Sequence, residues 1–259
     1  MRKTLNPTTG AEGEQGQVSD TPVRNVPVLD AIAAYDRIAP GYRELSQRRR
    51  AYLDAVDEEI LRCLPDGAAS LIDVGAGDGR RAMQIAERAR IPRVVLVEPS
   101  EGMRGLIPSG SEVWNERMEA LPDAGQTFDV VLCLWNVLGH VASRELRVAA
   151  LRNLGRVCSA GGLIFLDVIN RYNVVECGIG VALQRFLSFH DGEVPVKWRT
   201  DAGEVETKGH VFTAGEMAGL FRESGLSVAE RIVLNYRTGS HQRLLASGNP
   251  LYVLLADSA

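Results

Sequence analysis

The chain has 259 residues, of which 45% are hydrophobic and 24% are charged, so it can bury one large core or two modest ones. Its formal net charge of −4 gives no reason to expect a nucleic-acid partner. No apolar run approaches the roughly 20 residues of a membrane span. The four cysteines form no C-x-x-C pair, which argues against a zinc or redox site. Free thiols fit a reducing compartment, so we expect a soluble cytoplasmic protein. We expect no metal site, and a monomer or homodimer.

The chain begins with a polar segment that is followed by two helical patterns. Residues 1–27 lack the apolar stretch of a signal peptide and are rich in Thr, Gly, Glu and Gln, so we expect a disordered tail. A short helix is predicted from Val28 to the break at Pro40-Gly41. The stretch RAYLDAVDEEILRCL predicts a longer helix, because its apolar residues recur at helical spacing.

Apolar runs that alternate with helices occupy the rest of the chain. Four of them predict strands: LIDVG from Leu71, RVVLVE from Arg93, FDVVLCL from Phe128 and GLIFLDV from Gly162. A later helix opens with a capping box at Thr213 and ends at Gly225, and two more strands are predicted from Ser227 and Pro250. Apolar strands separated by helices are typical of a parallel sheet covered on both faces, so we predict one doubly wound α/β domain.

A glycine-rich turn joins the first of these strands to a helical pattern in LIDVGAGDGRRAMQIAE. Glycine lets a ligand approach the backbone, and the following helix N-terminus offers free N–H groups. The dinucleotide fingerprint is G-x-G-x-x-G, whereas Gly75, Gly77 and Gly79 form G-x-G-x-G with Asp78 inside the loop. An acid there is a poor neighbour for a pyrophosphate, which disfavours an NAD-dependent oxidoreductase. The alternative without any ligand is a plain tight turn.

Glu98 ends the next predicted strand, at about the distance beyond the glycine loop at which an acid reaches ribose hydroxyls. A carboxylate accepts hydrogen bonds from both the 2′- and the 3′-hydroxyl, so Glu98 is a candidate ribose ligand. The alternative is an acid at a helix N-terminus, where the helix dipole favours it. Ser100, however, is already available as the cap of that helix.

With these residues in place, the chain resembles the class I S-adenosylmethionine-dependent methyltransferases from about Tyr35 to Phe221. LIDVGAGDGR resembles the first motif of that family and VVLVEPS the second. FDVVLCLWNVLGHV resembles the fourth-strand motif, as found in glycine N-methyltransferase-like enzymes, and ALRNLGRVCSAGGLIFLDV the helix and strand that follow. The resemblance implies a Rossmann-like seven-stranded sheet with helices on both faces in residues 28–259, and S-adenosylmethionine as the cofactor.

The resemblance also implies a set of cofactor-binding residues: Tyr35, Asp73, Gly75, Ala76, Gly77, Asp78, Gly79, Glu98, Pro99, Met103, Met118, Glu119, Leu134 and Asn136. Where the family often binds adenine through an acid, this chain has Arg117, so either Glu119 or the backbone around Met118 would serve instead. AYDRIAPGYREL resembles the helix that closes over the cofactor, which would put Tyr35 and Tyr42 near the methyl group. Ordinary packing is the alternative for both tyrosines.

Methyl transfer from a sulfonium is an in-line displacement, for which the protein mainly holds the reactants close together and in line. When the methyl acceptor is an oxygen or nitrogen atom, a side chain can also take up its proton. His140 follows the fourth strand and is the candidate general base, with Tyr42 as a second candidate catalytic residue; packing is the alternative for His140. Trp135 would form a wall, and Asp167 and Asn170 would face the cleft. We predict transfer to O or N of a small molecule. RNA or protein methylation and a non-catalytic cofactor-binding protein are the alternatives.

Residues 170–212 are too many for a plain loop after the fifth strand. VVECGIGVALQRFLSF has roughly helical spacing, and EVPVKWRT and EVETKGHVF flank a hairpin-like turn. An insertion here leaves from the carboxyl edge of the sheet, so we predict a substrate lid whose Trp198, Arg199 and His210 contact the acceptor. The apolar helix could instead be a dimer face.

Overall fold

The computed structural model describes residues 28–188, 191–200 and 203–256. The expected tail at residues 1–27 lies outside these ranges, as do residues 201–202 of the expected hairpin turn. None of the helices within these ranges combines the length and the apolar character that a membrane crossing requires.

The helices are α1 (Ala31–Ile38), α2 (Tyr42–Gln47), α3 (Arg50–Cys63), α4 (Arg80–Ala89), α5 (Glu101–Arg104), α6 (Arg144–Val157), α7 (Val174–Cys177), α8 (Ile179–Leu187) and α9 (Ala214–Ser224). The strands are β1 (Val28–Leu29), β2 (Ser70–Val74), β3 (Arg93–Val97), β4 (Glu112–Trp114), β5 (Phe128–Cys133), β6 (Cys158–Asp167), β7 (Glu193–Thr200), β8 (Gly203–His210), β9 (Leu226–Leu234) and β10 (Asn249–Ala256). Short 3-10 helices span Ala39–Gly41, Met118–Ala120, Val137–His140 and Leu245–Ser247.

Seven strands form the central sheet in the order β4-β3-β2-β5-β6-β10-β9, which confirms the predicted doubly wound α/β fold. Neighbouring strands are parallel from β4 to β6, whereas β10 runs antiparallel to both β6 and β9. On β2, Asp73 lies opposite Leu96 of β3 and Leu132 of β5. The carboxyl ends of these three strands therefore meet at one edge, where the strand order reverses and such sheets bind ligands.

Helices cover both faces of the central sheet, and successive residues of a strand point to opposite faces. On one side, Ile72 and Val131 belong to a buried cluster that includes residues of α6 and α9. On the other side, Leu71 and Val130 belong to a cluster that includes residues of α3 and α4. Strands that are buried on both faces explain the near-continuous apolar runs in the sequence.

The observed elements depart from the sequence prediction near the N-terminus and at the edge of the sheet. The first helix starts later than predicted, because Val28–Leu29 form β1 and the Asp30 carboxylate caps α1 by accepting from the Ala33 amide at 2.9 Å. Strand β4 was not predicted, since three residues are too few for a periodic pattern, whereas Ser100 caps α5 as expected. The predicted capping box of α9, between Thr213 and Glu216, is present.

The segment at residues 170–212 has its own secondary structure. Gly178, with φ of 80°, separates α7 from α8 within the predicted helical stretch. Strands β7 and β8 pair antiparallel along their whole length, as the hairpin prediction requires, and β8 also pairs with β1 in parallel. The hairpin is thereby attached to the segment that precedes α1. Helix α8 leaves several large apolar side chains exposed, namely Ile179, Val181, Leu183, Phe186 and Leu187.

Candidate active site

The glycine loop follows β2 and is held against β3. The amides of Gly75 and Ala76 both donate to the Val97 carbonyl oxygen, at 2.8 and 3.0 Å. Gly77 has φ of 61°, and a Cβ atom at this position would lie 3.1 Å from the Tyr42 hydroxyl oxygen. Any larger residue would be strained and would crowd Tyr42, so glycine keeps the backbone open where a ligand was expected.

Glu98 lies directly beside this loop and is 7% exposed. Its carboxylate accepts hydrogen bonds from the Gly77 amide at 2.8 Å and from the Ser100 amide at 2.9 Å. Burial raises the pKa of Glu98 above its ordinary value, and the two amide donors limit the rise. The carboxylate therefore ties the glycine loop to the end of β3 while it also lines a cavity.

This cavity has an empty volume of about 770 Å³ and opens between the glycine loop, α1 and the 3-10 helix Val137–His140. The residues of the predicted set that line it are Tyr35, Tyr42, Gly75, Gly77, Glu98, Pro99, Met118, Glu119, Leu134 and His140. Further lining residues, which no motif singles out, are Ala31, Ile32, Glu116, Val137 and Val141.

A second, polar cleft of about 1300 Å³ adjoins the cavity and shares Tyr42, Gly75, Leu134 and Trp135 with it. The rings of Tyr42 and Trp135 lie between the two spaces, with centroids 5.9 Å apart. The remaining lining residues of the predicted set, Asp73, Ala76 and Asp78, belong to this cleft. Asp78 forms an ion pair with Arg80, which compensates its charge within the loop.

Asp73 is 4% exposed, and its Oδ1 atom has no hydrogen-bond partner among the described residues. Burial raises the pKa of Asp73 to about 7, although the Arg81 guanidinium opposes the rise. Arg81 itself pairs with Asp57 at 2.6 Å, so it does not satisfy Asp73. A buried carboxylate with an unpaired oxygen is suited to a cationic ligand group, since leaving it unpaired is costly.

His140 forms an aromatic cluster with Tyr35 and Trp198. Its Nε2 atom lies 3.3 Å from the Tyr35 hydroxyl oxygen. The Trp198 ring, on β7, has its centroid 5.5 Å from that of Tyr35 and 6.5 Å from that of His140. Burial lowers the pKa of His140 below its ordinary value, and its Nδ1 atom is buried without a hydrogen-bond partner among the described residues. The cluster brings α1, the 3-10 helix and the hairpin together beside the cavity, which Tyr35 and His140 line, whereas Trp198, an expected acceptor contact, lines neither space.

Helix α1 is attached to the loop after β3 by Asp36, a contact that no sequence motif indicated. The Asp36 carboxylate accepts hydrogen bonds from the Ser100 hydroxyl at 2.6 Å and from the Gly102 amide at 2.9 Å. Partial burial raises the pKa of Asp36, but these hydrogen bonds outweigh it and the pKa falls below its ordinary value. Ser100 also caps α5, so one cluster positions α1, α5 and the Glu98 carboxylate.

Several predicted site residues do not line either space. Gly79 and Met103 pack beside the loop, where a Cβ on Gly79 would meet Leu96 at 2.6 Å and Met103 is fully buried. Asn136 is 6% exposed, and its side chain donates to the His210 carbonyl at 3.2 Å and accepts from the Ile169 amide at 3.0 Å. This corrects the expected cofactor contact of Asn136, because both of its polar atoms hold backbone.

The expected acceptor contacts of the insertion also need correction. His210 is 3% exposed and lies between Glu193 and Glu216, each 2.7 Å from a ring nitrogen, so it faces an internal ion cluster rather than the cavity. Arg199 alternates with Trp198 along β7 and points to solvent. The side chain of Asn170 is also used inside the protein, where it donates to carbonyl oxygens of the C-terminal segment.

The far end of the cavity carries the residues that were expected near adenine. Arg117 lines the wall beside Glu116 and Glu119, and its Nη1 atom lies 3.8 Å from Glu119 Oε1. Met118 is 5% exposed, and its carbonyl oxygen accepts from the Asn153 side chain at 3.0 Å. Both candidate adenine contacts, the Glu119 carboxylate and the backbone around Met118, therefore lie at the same end.

Comparison with known proteins identifies the family. The family described as "Methyltransferase domain" matches residues 45–231. The chain is similar in structure to the CcbJ methyltransferase from Streptomyces caelestis, with 16% identity and a TM-score of 0.60 over 79% of this chain and 90% of that chain. It is also similar to CalS10, an amino pentose methyltransferase from Micromonospora echinaspora, with 20% identity and a TM-score of 0.54 over 83% and 96% of the two chains. KedS8, a sugar N-methyltransferase from Streptoalloteichus sp., is similar with 20% identity and a TM-score of 0.58 over 99% of this chain and 100% of that chain.

No curated protein sequence matches the chain. The structural neighbours share its fold at low identity, whereas the family match extends over most of the chain, from the end of α2 to β9. The chain therefore belongs to the methyltransferase-domain family and is a methyltransferase, with S-adenosylmethionine as the cofactor that its glycine loop and carboxylates fit.

Proposed function

We propose that the protein transfers the methyl group of S-adenosylmethionine to a nitrogen or oxygen atom of a small-molecule acceptor. The observation that carries the proposal is the position of His140, whose Nε2 atom lies 3.3 Å from the Tyr35 hydroxyl in the same cavity as the glycine loop and Glu98. Methyl transfer to an atom that bears a proton is accelerated by a proton acceptor next to the cofactor, and this cavity offers one.

Three features support the way the cofactor would be held. The open backbone at Gly77 allows the cofactor to approach closely. The Glu98 carboxylate can accept hydrogen bonds from the ribose hydroxyls, and the unpaired oxygen of Asp73 can accept one from the ammonium group of the methionine part. The adenosine part would then occupy the cavity, and the methionine part the adjoining polar cleft. When bound, S-adenosylmethionine supplies an already activated methyl group, so the protein's task is to orient the acceptor and remove its proton.

His140 is proposed as the general base. Burial lowers its pKa below the ordinary value of 6.5, so the imidazole is neutral at physiological pH and can accept a proton. Burial raises the pKa of Tyr35 well above its ordinary value, so its phenol stays protonated next to His140 Nε2 and positions the imidazole. Burial also keeps Tyr42 protonated by raising its pKa, which supports a role in separating the two spaces rather than in proton transfer.

The hairpin β7–β8 is proposed as the acceptor lid. Its Trp198 ring packs against both Tyr35 and His140, so the hairpin supports two lining residues of the cavity although Trp198 itself lines neither space. Gly139 supports this arrangement, because a Cβ atom there would lie 2.6 Å from the His210 carbonyl oxygen and would push β8 away. The Tyr35 and His140 rings, held from behind by Trp198, would exclude water and suit the flat face of a ring-shaped acceptor.

An amino sugar is the acceptor class that we propose to assay first. The printed descriptions of two structural neighbours name an amino pentose methyltransferase and a sugar N-methyltransferase. A protonated amine cannot attack the methyl group, so an amino acceptor would need the proton acceptor that His140 offers. Hydroxylated analogues of the same sugars would distinguish transfer to nitrogen from transfer to oxygen.

The test compares methyl transfer from labelled cofactor by the wild type, His140→Ala and a control, His241→Ala. His241 is exposed and pairs with Glu59 at 2.9 Å, away from both lined spaces. We expect His140→Ala to lower transfer about 10²–10⁴-fold, with nearly unchanged affinity for the demethylated product, and His241→Ala to behave like the wild type. A loss of about tenfold or less would return His140 to a packing role. Cofactor binding without turnover on any acceptor would indicate a non-catalytic protein.

A further inference from the structure

The Trp135–Asn136 pair, just after β5, has a backbone conformation that residues with side chains rarely adopt. The φ angles of the two residues are 61° and 62°, both in the left-handed region. Such conformations persist only where the surrounding structure enforces them, and they concentrate at functional sites. The two residues stand at the carboxyl edge of the sheet, where the cavity opens.

Asp167, the last residue of β6, holds the Trp135–Asn136 backbone in this conformation. One oxygen of its carboxylate accepts hydrogen bonds from both amides of the pair, that of Trp135 and, at 3.3 Å, that of Asn136. The other oxygen accepts from the Tyr52 hydroxyl at 2.9 Å, and the residue is 1% exposed. Successive backbone amides in such a turn form a concave site for an anion, and the buried carboxylate fills it.

The pair connects this buried carboxylate to the functional site. Trp135 lines both the cavity and the polar cleft, and its indole N–H donates to the Tyr236 hydroxyl at 3.0 Å. Asn136 immediately precedes the 3-10 helix that ends at His140. A change in the backbone of the pair would therefore displace the wall between the two spaces and the helix that carries His140.

We propose that Asp167 is a positioning residue for methyl transfer. Its carboxylate holds the left-handed Trp135–Asn136 pair, and through the pair it places the Trp135 ring between the two spaces and sets the start of the His140 helix. Asp167 lines neither space, so its action is indirect. The effect on His140 rests on the proposed function, whereas the effect on Trp135 and on cofactor binding does not depend on any acceptor.

The chain offers a matched control at the opposite edge of the same sheet. There, one oxygen of the Asp129 carboxylate accepts from two successive amides, those of Ala69 at 2.9 Å and Ser70 at 3.1 Å. Asp167→Asn and Asp129→Asn both replace a carboxylate that accepts from two successive amides, but Asp167 is buried at the carboxyl edge and Asp129 is half-buried at the opposite edge. Two quantities would be measured: the affinity for the demethylated cofactor by calorimetry, and the emission of Trp135 as the sole tryptophan, after Trp114→Phe and Trp198→Phe.

We expect Asp167→Asn to weaken binding by about tenfold or more and to shift the Trp135 emission to longer wavelength, with Asp129→Asn close to the wild type in both. Tyr52→Phe removes one donor to Asp167 and should shift both quantities in the same direction by a smaller amount. Equal effects of Asp167→Asn and Asp129→Asn, or no effect of Asp167→Asn, would overturn the proposal.

If Asp167→Asn does not fold, Tyr52→Phe decides the question, and unchanged affinity and emission in that variant would reject the positioning role. Failure to find any methyl acceptor would count against the proposed function alone, because neither measurement requires turnover.

Discussion

The Tyr35 hydroxyl oxygen lies 3.3 Å from His140 Nε2, and the two rings meet edge to face with centroids 5.4 Å apart. Tyr35 belongs to α1, and His140 belongs to the 3-10 helix after β5, 105 residues further along the chain. Asp36, the next residue on α1, binds the Ser100 hydroxyl and the Gly102 amide and so holds the helix in this position. His140 therefore has its Tyr35 partner only while Asp36 holds α1 against the loop after β3.

The pH dependence of turnover should report the protonation of His140. Because burial lowers its pKa below 6.5, the imidazole is neutral above that pH, so at saturating cofactor and with a hydroxyl acceptor His140 adds no pH dependence there. Transfer should decrease as the pH falls through the lowered pKa, since the imidazolium cannot accept a proton. Tyr35→Phe keeps the ring contact but removes the hydrogen bond that positions the His140 imidazole, and should lower transfer by about fivefold, the scale of one hydrogen bond. A rate that rises towards acid would contradict the assignment.

Glu98 should contribute to cofactor affinity through its carboxylate. Glu98→Ala should weaken binding of the demethylated cofactor by about 1.5–3 kcal/mol, the scale of hydrogen bonds to a charged group. Glu101→Gln, an exposed acid in the first turn of α5, is the control and should bind like the wild type. Calorimetry with S-adenosylmethionine, its demethylated product and NAD provides the measurement. Heat for NAD alone, without heat for either methionine nucleotide, would reject the cofactor assignment.

Cofactor affinity should also depend on pH through Asp73. Burial raises its pKa to about 7, and a cationic ligand favours the ionised carboxylate, so affinity should rise with pH up to that value and then level off. Below the pKa, the loss can reach about tenfold per pH unit. Asp73→Asn should bind more weakly at pH 8 and should show little pH dependence. An affinity for the wild type that stays constant from pH 5 to pH 8 would contradict an ammonium contact at Asp73.

The same raised pKa has a consequence for folding. The folded-state pKa lies above the unfolded value, so the ionised Asp73 destabilises the ligand-free protein progressively as the pH rises from 3.8 to about 7. Bound cofactor should remove this penalty. The stabilisation by demethylated cofactor, measured as a melting shift, should therefore be larger at pH 8 than at pH 5.

The hairpin should act on the acceptor rather than on the cofactor. Trp198→Ala removes the ring that packs against Tyr35 and His140 and should lower transfer about tenfold or more while leaving cofactor affinity nearly unchanged. Lys197→Ala, at the neighbouring outward-facing position of β7, is the control. Replacing residues 174–208 with a short Gly/Ser linker should preserve cofactor binding and abolish transfer. A shortened protein that methylates the same acceptor at a similar rate would exclude a lid.

Features that depend on consecutive residues could be read from the sequence. The runs at β2, β3, β5 and β6 predicted the sheet, because strands buried on both faces must be apolar at nearly every position. The glycine loop was recognised because a close approach of ligand to backbone restricts the residue types in a short stretch. Glu98 was recognised from its position at the end of the next strand. Strand β4 was missed because three residues carry no periodic signal.

By itself, the sequence determined the doubly wound fold, the family and the place of the glycine loop, because burial and backbone geometry act on neighbouring residues. Only the tertiary structure decided which polar side chains face the ligand space and which hold the backbone. Asn136 was expected to bind the cofactor but holds Ile169 and His210, and Asp167 was expected to face the cleft but accepts from Tyr52, 115 residues away. The polar partners of a buried side chain are chosen by the three-dimensional packing of distant segments, and neighbouring residues do not specify that packing.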